Sequence, residues 1–297
     1  MSRADAEWLR ESRGQAPDVA WSFTTDAPLA CLGLARETGE VLAADESGGL
    51  YRLDRRGHAS SLTRGPTPVR GLGWSDAGNR GVALVGPRKL FWFSRELKFE
   101  GSVDLPDDAL CVAVDAHGDY AAASLADGTT LIYDGPRKPL HRFETPRPLV
   151  RIEFVVSNPA ILGVADYGLL CQHEFNGEPE WQEKLWANVG DLAVSGSGRV
   201  ILAACFMHGI QRFDSSGQSV GSYQLEGTVC RVAQTYVPLR IAAATLERHL
   251  YWLDSDGKLL WAAQGPDDVV RIACDPLGEG FVCGFQSGRI VRLIWPD

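Results

Sequence analysis

The stretch LYWLDSDGKLLWAAQ, residues 250–264, places strand-forming residues on both sides of a short Asp-Ser-Asp-Gly turn. Leu250, Trp252 and Trp261 belong to residue types that favour β-strands. Asp254 is suited to begin a tight turn, and Gly257 can adopt the positive φ that a short loop requires. We therefore predict a β-hairpin here. Its meaning for the whole chain depends on whether the pattern recurs.

Related five-residue strings do recur, and each step between them is 40 residues without an insertion or deletion. Five of the strings end in an acid, and two lie on the same grid with the acid replaced. The strings are LYRLD (50–54), LFWFS (90–94), TLIYD (130–134), LCQHE (170–174), IQRFD (210–214), LYWLD (250–254) and IVRLI (290–294). A fixed period of this length is typical of repeat architectures.

Other positions of the 40-residue grid also keep their chemical character. One column is aliphatic throughout: Leu32, Leu72, Val112, Ile152, Leu192, Val232 and Ile272. A second column holds small residues, as expected where neighbouring sheets approach closely: Ala43, Ala83, Ala123, Gly163, Ala203, Ala243 and Cys283. Turn-forming residues lie between the columns, so each repeat is interpreted as four short strands.

Four strands in each of seven units of ~40 residues predict an all-β fold, a seven-bladed β-propeller with four-stranded antiparallel blades. Stacked helical repeats are not favoured, because the apolar spacing is two rather than 3.6 residues. The strand count leaves one outer strand spare at the N-terminus and one missing at the C-terminus. We predict that Val19 to Phe23 pairs with Ile290 to Ile294 and closes the ring. Residues 18–297 then form one domain, and residues 1–17 form an extension that is a short helix or disordered.

Four segments resemble known propeller repeats. The sequences at 69–85 and 111–134 are similar to blades of WD-repeat proteins, and those at 175–181 and 253–261 are similar to pyrroloquinoline-quinone-type repeats. The resemblance covers residues 18–297. It implies a propeller architecture.

Composition narrows the possible partners. The formal net charge is -9, with 38 acidic and 29 basic residues, which disfavours nucleic-acid binding because phosphate contacts need clustered Lys and Arg. No apolar run suggests a signal peptide or a membrane span, so we expect a cytoplasmic protein that does not bind membranes. The seven cysteines include no CxxC pair and are expected to be reduced core thiols.

The sequence contains strings that resemble catalytic or metal-binding motifs, but their positions favour a structural interpretation. GQSVG at 217–221 matches the G-x-S-x-G string of serine hydrolases, but it lies at a hairpin turn rather than at a strand-to-helix turn. DSDG at 254–257 is better explained by turn chemistry than by calcium binding. The six histidines are scattered, and no Gly-rich phosphate loop is present. We predict no catalytic residues, no metal and no cofactor.

Two groups of residues are candidates for binding. In a propeller, the loops from outer to inner strand and from second to third strand share one face, here called the upper face. Tyr167, Trp186, Phe206 and Met207 fall at loop positions of this face that are mostly polar, Gly or Pro in other repeats. Aromatic residues and Met are enriched at protein interfaces, so these four are predicted to bind a partner. The alternative is that they fold inward over the blade edge.

The second group consists of charged residues near the start of inner strands, at the mouth of the central channel. Its members are Arg70, Arg151, Arg231, Arg271 and Asp191. Arginine suits bidentate contacts with carboxylates and phosphates, so a small anionic ligand is one interpretation. Salt bridges between blades are the other.

Together these patterns favour a non-enzymatic protein–protein interaction scaffold of WD-repeat type that presents a loop face to a protein or peptide partner. One alternative is an enzyme or small-molecule-binding protein that uses the arginine-lined channel mouth, with Asp191 or Glu153 as base. A second alternative is a structural subunit of a larger complex.

Overall fold

The computed structural model describes residues 8–295, and all regular secondary structure in this range is β-strand. Two strands precede the first blade: β1 (Arg13–Gly14) and β2 (Asp18–Thr24). The strands of blades 1 to 3 are β3 (Leu29–Leu34), β4 (Val41–Asp45), β5 (Gly49–Leu53), β6 (Ala59–Arg64), β7 (Val69–Trp74), β8 (Arg80–Val85), β9 (Lys89–Ser94), β10 (Phe99–Asp104), β11 (Ala109–Val114), β12 (Ala121–Leu125), β13 (Thr129–Tyr133) and β14 (His141–Glu144). Those of blades 4 to 7 are β15 (Leu149–Phe154), β16 (Ala160–Ala165), β17 (Leu170–Glu174), β18 (Pro179–Glu183), β19 (Asp191–Val194), β20 (Ile201–Ala204), β21 (Ile210–Phe213), β22 (Ser219–Tyr223), β23 (Val229–Gln234), β24 (Arg240–Thr245), β25 (His249–Asp254), β26 (Leu259–Gln264), β27 (Val269–Cys274), β28 (Gly280–Phe285) and β29 (Arg289–Ile294).

The described strands form seven antiparallel sheets, and the predicted seven-bladed propeller is confirmed. The predicted ring closure is also confirmed. β2 pairs with β29 from Asp18 opposite Ile294 to Thr24 opposite Arg289, and thereby supplies the outer strand of blade 7. No helix among residues 8–295 is long and apolar enough to cross a membrane.

The core lies between the blades rather than within one of them. Seven buried apolar clusters each join two neighbouring blades, and the one between blades 7 and 1 includes Trp21 and Ile290. The predicted column of small residues lies in these interfaces. At Gly163, an added Cβ would overlap the side chain of Leu149. A larger residue at this position would therefore displace Leu149 or the backbone of β16 and overpack the core.

The turn at residues 254–257 has the predicted hydrogen bonds and also contacts the preceding blade. One carboxylate oxygen of Asp254 accepts hydrogen bonds from the backbone amides of Asp256 (3.0 Å) and Lys258 (2.9 Å), and Gly257 has a φ of 80°. An aromatic side chain from the preceding blade covers this glycine and donates a hydrogen bond to a turn carbonyl. This contact, made here by Tyr223 with Ser255 (2.7 Å), recurs twice: Trp21 with Arg55 (3.0 Å) and Trp181 with Ser215 (3.0 Å).

The N-terminal extension lies partly outside the described residues, since residues 1–7 are not described. From Trp8 to Gly14, the chain forms a turn followed by β1, which pairs with β26 as a fifth strand of blade 6. A short helix is therefore wrong for this part. Trp8 instead contacts Trp261 and Phe285 edge-on, so burial of one indole holds the segment against blades 6 and 7.

The thiols give a first testable prediction. All seven cysteines are free, and only Cys31 is partly exposed. Burial raises the pKa of Cys31 to about 11 and that of Cys111 to about 12, so only about one thiol in a thousand or fewer is ionised near pH ~8. We expect an aromatic disulfide reagent to modify less than one thiol per folded chain within minutes, and all seven after denaturation. Rapid modification of several thiols in the folded chain, followed by absorbance, would contradict this core.

Candidate functional site

The upper face carries an apolar surface on blades 4 to 6. Tyr167 lies between β16 and β17, Trp186 between β18 and β19, and Met207 between β20 and β21. All three side chains are exposed, Trp186 at 72% and Met207 at 75% far more than Tyr167 at 39%. The structure therefore brings these three predicted residues to solvent on one face.

Phe206, the fourth predicted residue, is half-buried. Its backbone exchanges two hydrogen bonds with Val229 of the next blade, and its φ of 46° turns the chain in the left-handed region. Phe206 thus contributes less surface than its three companions. The loop that it fixes holds the neighbouring Met207 in the open.

Sequence reasoning missed Leu246, which is 60% exposed in the loop between β24 and β25. Thr228 connects this loop to Met207: its hydroxyl contacts the Met207 sulfur at 3.4 Å, and its carbonyl accepts a hydrogen bond from the Leu246 amide at 2.9 Å. Leu246 lies 40 residues after Phe206 on the grid, so the signal was present in the sequence. We call Tyr167, Trp186, Phe206, Met207 and Leu246 the aromatic patch.

Two cations flank the aromatic patch. The Lys184 ammonium lies 3.9 Å from the ring centre of Trp186, and the Arg147 guanidinium lies 5.6 Å from that of Tyr167. Within residues 8–295, neither cation has a carboxylate within 4 Å, whereas three other arginines of the upper face do. Those pairs are Arg64 with Asp26 (3.3 Å), Arg88 with Asp108 (2.5 Å) and Arg248 with Asp268 (2.7 Å). The aromatic patch therefore combines apolar surface with uncompensated positive charge.

A β-bulge near the start of the inner strand shapes the mouth of the central channel. In blades 4, 6 and 7 the pairing register shifts immediately before Arg151, Arg231 and Arg271. Bulges of this kind re-aim the side chains that follow them, and all three arginines line the channel. Arg70 lies one position earlier in the repeat, within the bulge of blade 2, and is exposed at the same mouth.

Asp191 joins two of these arginines. Its carboxylate is fully buried, and one oxygen accepts a hydrogen bond from Arg271 at 2.7 Å and lies 3.4 Å from the Nε of Arg151. The other oxygen accepts the backbone amide of Val232 at 3.3 Å. The Asp191 charge raises the pKa of Arg271. For Arg151 and Arg271, salt bridging between blades is therefore the correct interpretation.

Arg231 and Arg70 are arranged differently. In the described part of the chain, Arg231 donates only to backbone carbonyls, those of Val270 at 2.8 Å and Cys230 at 2.9 Å, and burial lowers its pKa. Arg70 makes no hydrogen bond or ion pair with any residue in the 8–295 range. Among residues 8–295, neither guanidinium lies within 4 Å of a carboxylate, and the Asp191 charge offsets only part of the effect of burial on the Arg231 pKa.

Polar contacts continue through the channel to the opposite face. Glu153 lies 3.7 Å from Arg271 and 4.0 Å from Arg36, and Arg36 lies 3.4 Å from Asp76. The Tyr236 hydroxyl donates to Asp76 at 3.4 Å, and burial raises the Tyr236 pKa to about 12. Burial also raises the pKa of Glu153. Arg36, Asp76 and Tyr236 share one grid column, which could have revealed them in the sequence.

The G-x-S-x-G string has no catalytic surroundings. Ser219 begins the outer strand β22, and Gly217 occupies a hairpin turn with a φ of 81°. Within the described chain, no hydrogen bond links Ser219 to a histidine or an acid. No group of three or more His, Cys, Asp or Glu residues in that part of the chain is placed to hold a metal ion.

Comparison with known proteins gives information on the fold but none on the function. No protein-family model and no curated protein matches the chain. Among solved structures, the chain is similar to the β-propeller domain of Cps50 (Swd1) from Myceliophteria thermophila, with a TM-score of 0.76. The similarity covers 94% of this chain and 100% of that domain at 17% identity. It supports the propeller fold alone.

Proposed function

We propose that the protein is a non-enzymatic interaction module whose aromatic patch binds a peptide segment of a protein partner. The observation that carries the proposal is the exposure of Trp186 and Met207 on one face, with Lys184, a cation without a carboxylate partner among residues 8–295, against the Trp186 ring. Large apolar side chains surrounded by charge are characteristic of binding hot spots, and surface of this kind is costly to leave in water.

The charges define the chemistry of the partner. Lys184 and Arg147 would each gain a counter-ion from a carboxylate, while Trp186, Tyr167 and Met207 would cover an apolar side chain. We therefore infer a segment that carries acidic residues next to large apolar ones. Opposite charges across an interface chiefly set specificity and association rate, and apolar anchors supply most of the affinity.

A displayed library of random peptides tests this proposal without a known partner. Peptides selected on the intact chain should be enriched in Asp or Glu next to Leu, Phe, Trp or Met. The double variant W186D/M207D should bind them at least ~10-fold more weakly, because it removes two anchors and adds like charge.

The control is L62D, which changes a comparably exposed apolar residue, at 58%, on the outer strand of blade 1. Its affinity for the selected peptides should equal that of the unmodified chain, as measured by fluorescence anisotropy. Equal binding by W186D/M207D, or selection of basic peptides, would overturn the proposed site.

A further inference from the structure

The channel mouth is asymmetric. At one inner-strand position of the repeat, blades 4 to 7 carry Arg151, Asp191, Arg231 and Arg271, whereas blades 1 to 3 carry the small residues Cys31, Gly71 and Cys111. Both groups except Asp191 line one cavity of about 390 Å³, a size within the range of ~300–1,000 Å³ found for small-molecule sites. At this position the cavity therefore has a cationic wall on blades 4, 6 and 7 that faces small side chains on blades 1 to 3, where Arg70 of blade 2 lies one position earlier.

Positive charge exceeds negative charge in this cavity. Five arginines line it, Arg36, Arg70, Arg151, Arg231 and Arg271, against the two carboxylates of Asp76 and Glu153. Asp191 lies buried behind the arginines and adds a third. The excess amounts to two charges, in a chain whose formal net charge is -9. It corresponds to the two guanidinium groups without a carboxylate contact, those of Arg70 and Arg231.

We propose that the channel mouth binds a small dianion, with its negative charge on phosphate or carboxylate oxygens, through Arg231 and Arg70. Arg151 and Arg271 add positive charge to the mouth, since both are about one-third exposed, at 33% and 31%. They share the carboxylate of Asp191, and Arg271 also lies 3.7 Å from Glu153. Guanidinium groups bind such oxygens through paired N–H donors. A dianion would neutralise the excess charge.

The structure favours a small ligand over a polymer at this site. Arg151, Arg231 and Arg271 project from inner strands into the cavity, and Arg70 is exposed at its mouth. The overall negative charge of the chain repels nucleic acid. The site is also separate from the aromatic patch, which lies on loops of blades 4 to 6. Loss of either site should leave the other intact.

Inorganic phosphate and succinate serve as probes of the two dianion chemistries. Thermal unfolding of the full chain should shift to higher temperature with rising concentration of at least one of them, in a saturable manner and at ionic strength held constant with sodium chloride. A response to phosphate alone identifies phosphate chemistry, and a response to both identifies dianions in general. Either result supports the site.

Two variants locate the binding. R231Q should raise the dissociation constant of the responding anion at least ~10-fold, because it removes charge-assisted hydrogen bonds to the anion. R70Q should raise the dissociation constant ~3-fold or more. The fold of this variant should be unchanged, because Arg70 makes no hydrogen bond or ion pair with residues 8–295. The matched control is R248Q, which removes an upper-face arginine already paired with Asp268 and should bind as the unmodified chain does.

Two results would overturn the proposal. One is the absence of a saturable shift with both anions. The other is an equal dissociation constant for the unmodified chain and for the double variant R70Q/R231Q, which would show that the anion binds elsewhere.

Discussion

Deletion of residues 1–24 is expected to abolish the soluble monomer. The deletion removes β2, the outer strand of blade 7, and leaves β29 paired with β28 alone, so that its outer edge is open along its full length. Ile290 and Val291, which are fully buried, would become part of an open edge. Unpaired apolar edges of this kind promote aggregation. Size-exclusion chromatography should show aggregates or no soluble protein.

Trp21 is one of the buried side chains that the deletion removes. It is only 8% exposed, packs in the cluster between blades 7 and 1, and donates a 3.0 Å hydrogen bond to the carbonyl of Arg55 in blade 1. Truncation of a buried Trp costs about 3–5 kcal/mol, a large part of the ~5–15 kcal/mol that typically holds a domain together. The variant W21A should therefore remain foldable with a Tm lower by on the order of 10 °C.

Deletion of residues 1–7 alone is the control, because it leaves every described contact of Trp21 and β2 in place. Its Tm should match that of the full chain. A chain without residues 1–24 that stays monomeric with an unchanged melting curve would contradict closure by β2.

The fold was predictable because its rules are local and repeated. Turns such as Asp254 to Gly257 specify a hairpin within a few residues. Related turns recur every 40 residues, so the same local pattern predicts every blade. Ring closure followed from counting strands. The N-terminal segment was not predictable in the same way, because Gly14 meets the backbone of Leu260 in blade 6, a contact between residues far apart in sequence.

The candidate sites were predictable as positions but not as contacts. The grid placed Trp186 and Met207 in loops and Arg231 at the channel mouth, since each position has a fixed place in a blade. It did not show that Asp191 of blade 5 would bond Arg271 of blade 7. Such a contact crosses the channel between blades that are not neighbours in sequence, and it depends on where the inner-strand bulges aim the side chains.

Replacement of Asp191 by Asn is expected to destabilise the ring by about 3–5 kcal/mol, the usual cost of removing one partner from a buried charge pair. The substitution preserves shape but removes the carboxylate that Arg151 and Arg271 share, and their nearest remaining acid, Glu153, lies 3.7 Å from Arg271. Two cations would then repel each other in a partly buried site. Urea unfolding followed by tryptophan fluorescence measures the loss of unfolding free energy.

The control is D268N, which breaks an exposed ion pair with Arg248 and should cost no more than about 1 kcal/mol. Adding R271Q to D191N should recover part of the lost stability, because it removes one of the two cations that had shared the Asp191 carboxylate. A D191N variant as stable as the unmodified chain would show that Asp191 does not organise the channel. D191N also makes the mouth more positive, so if the channel binds a dianion, phosphate should stabilise this variant more than it stabilises the unmodified chain.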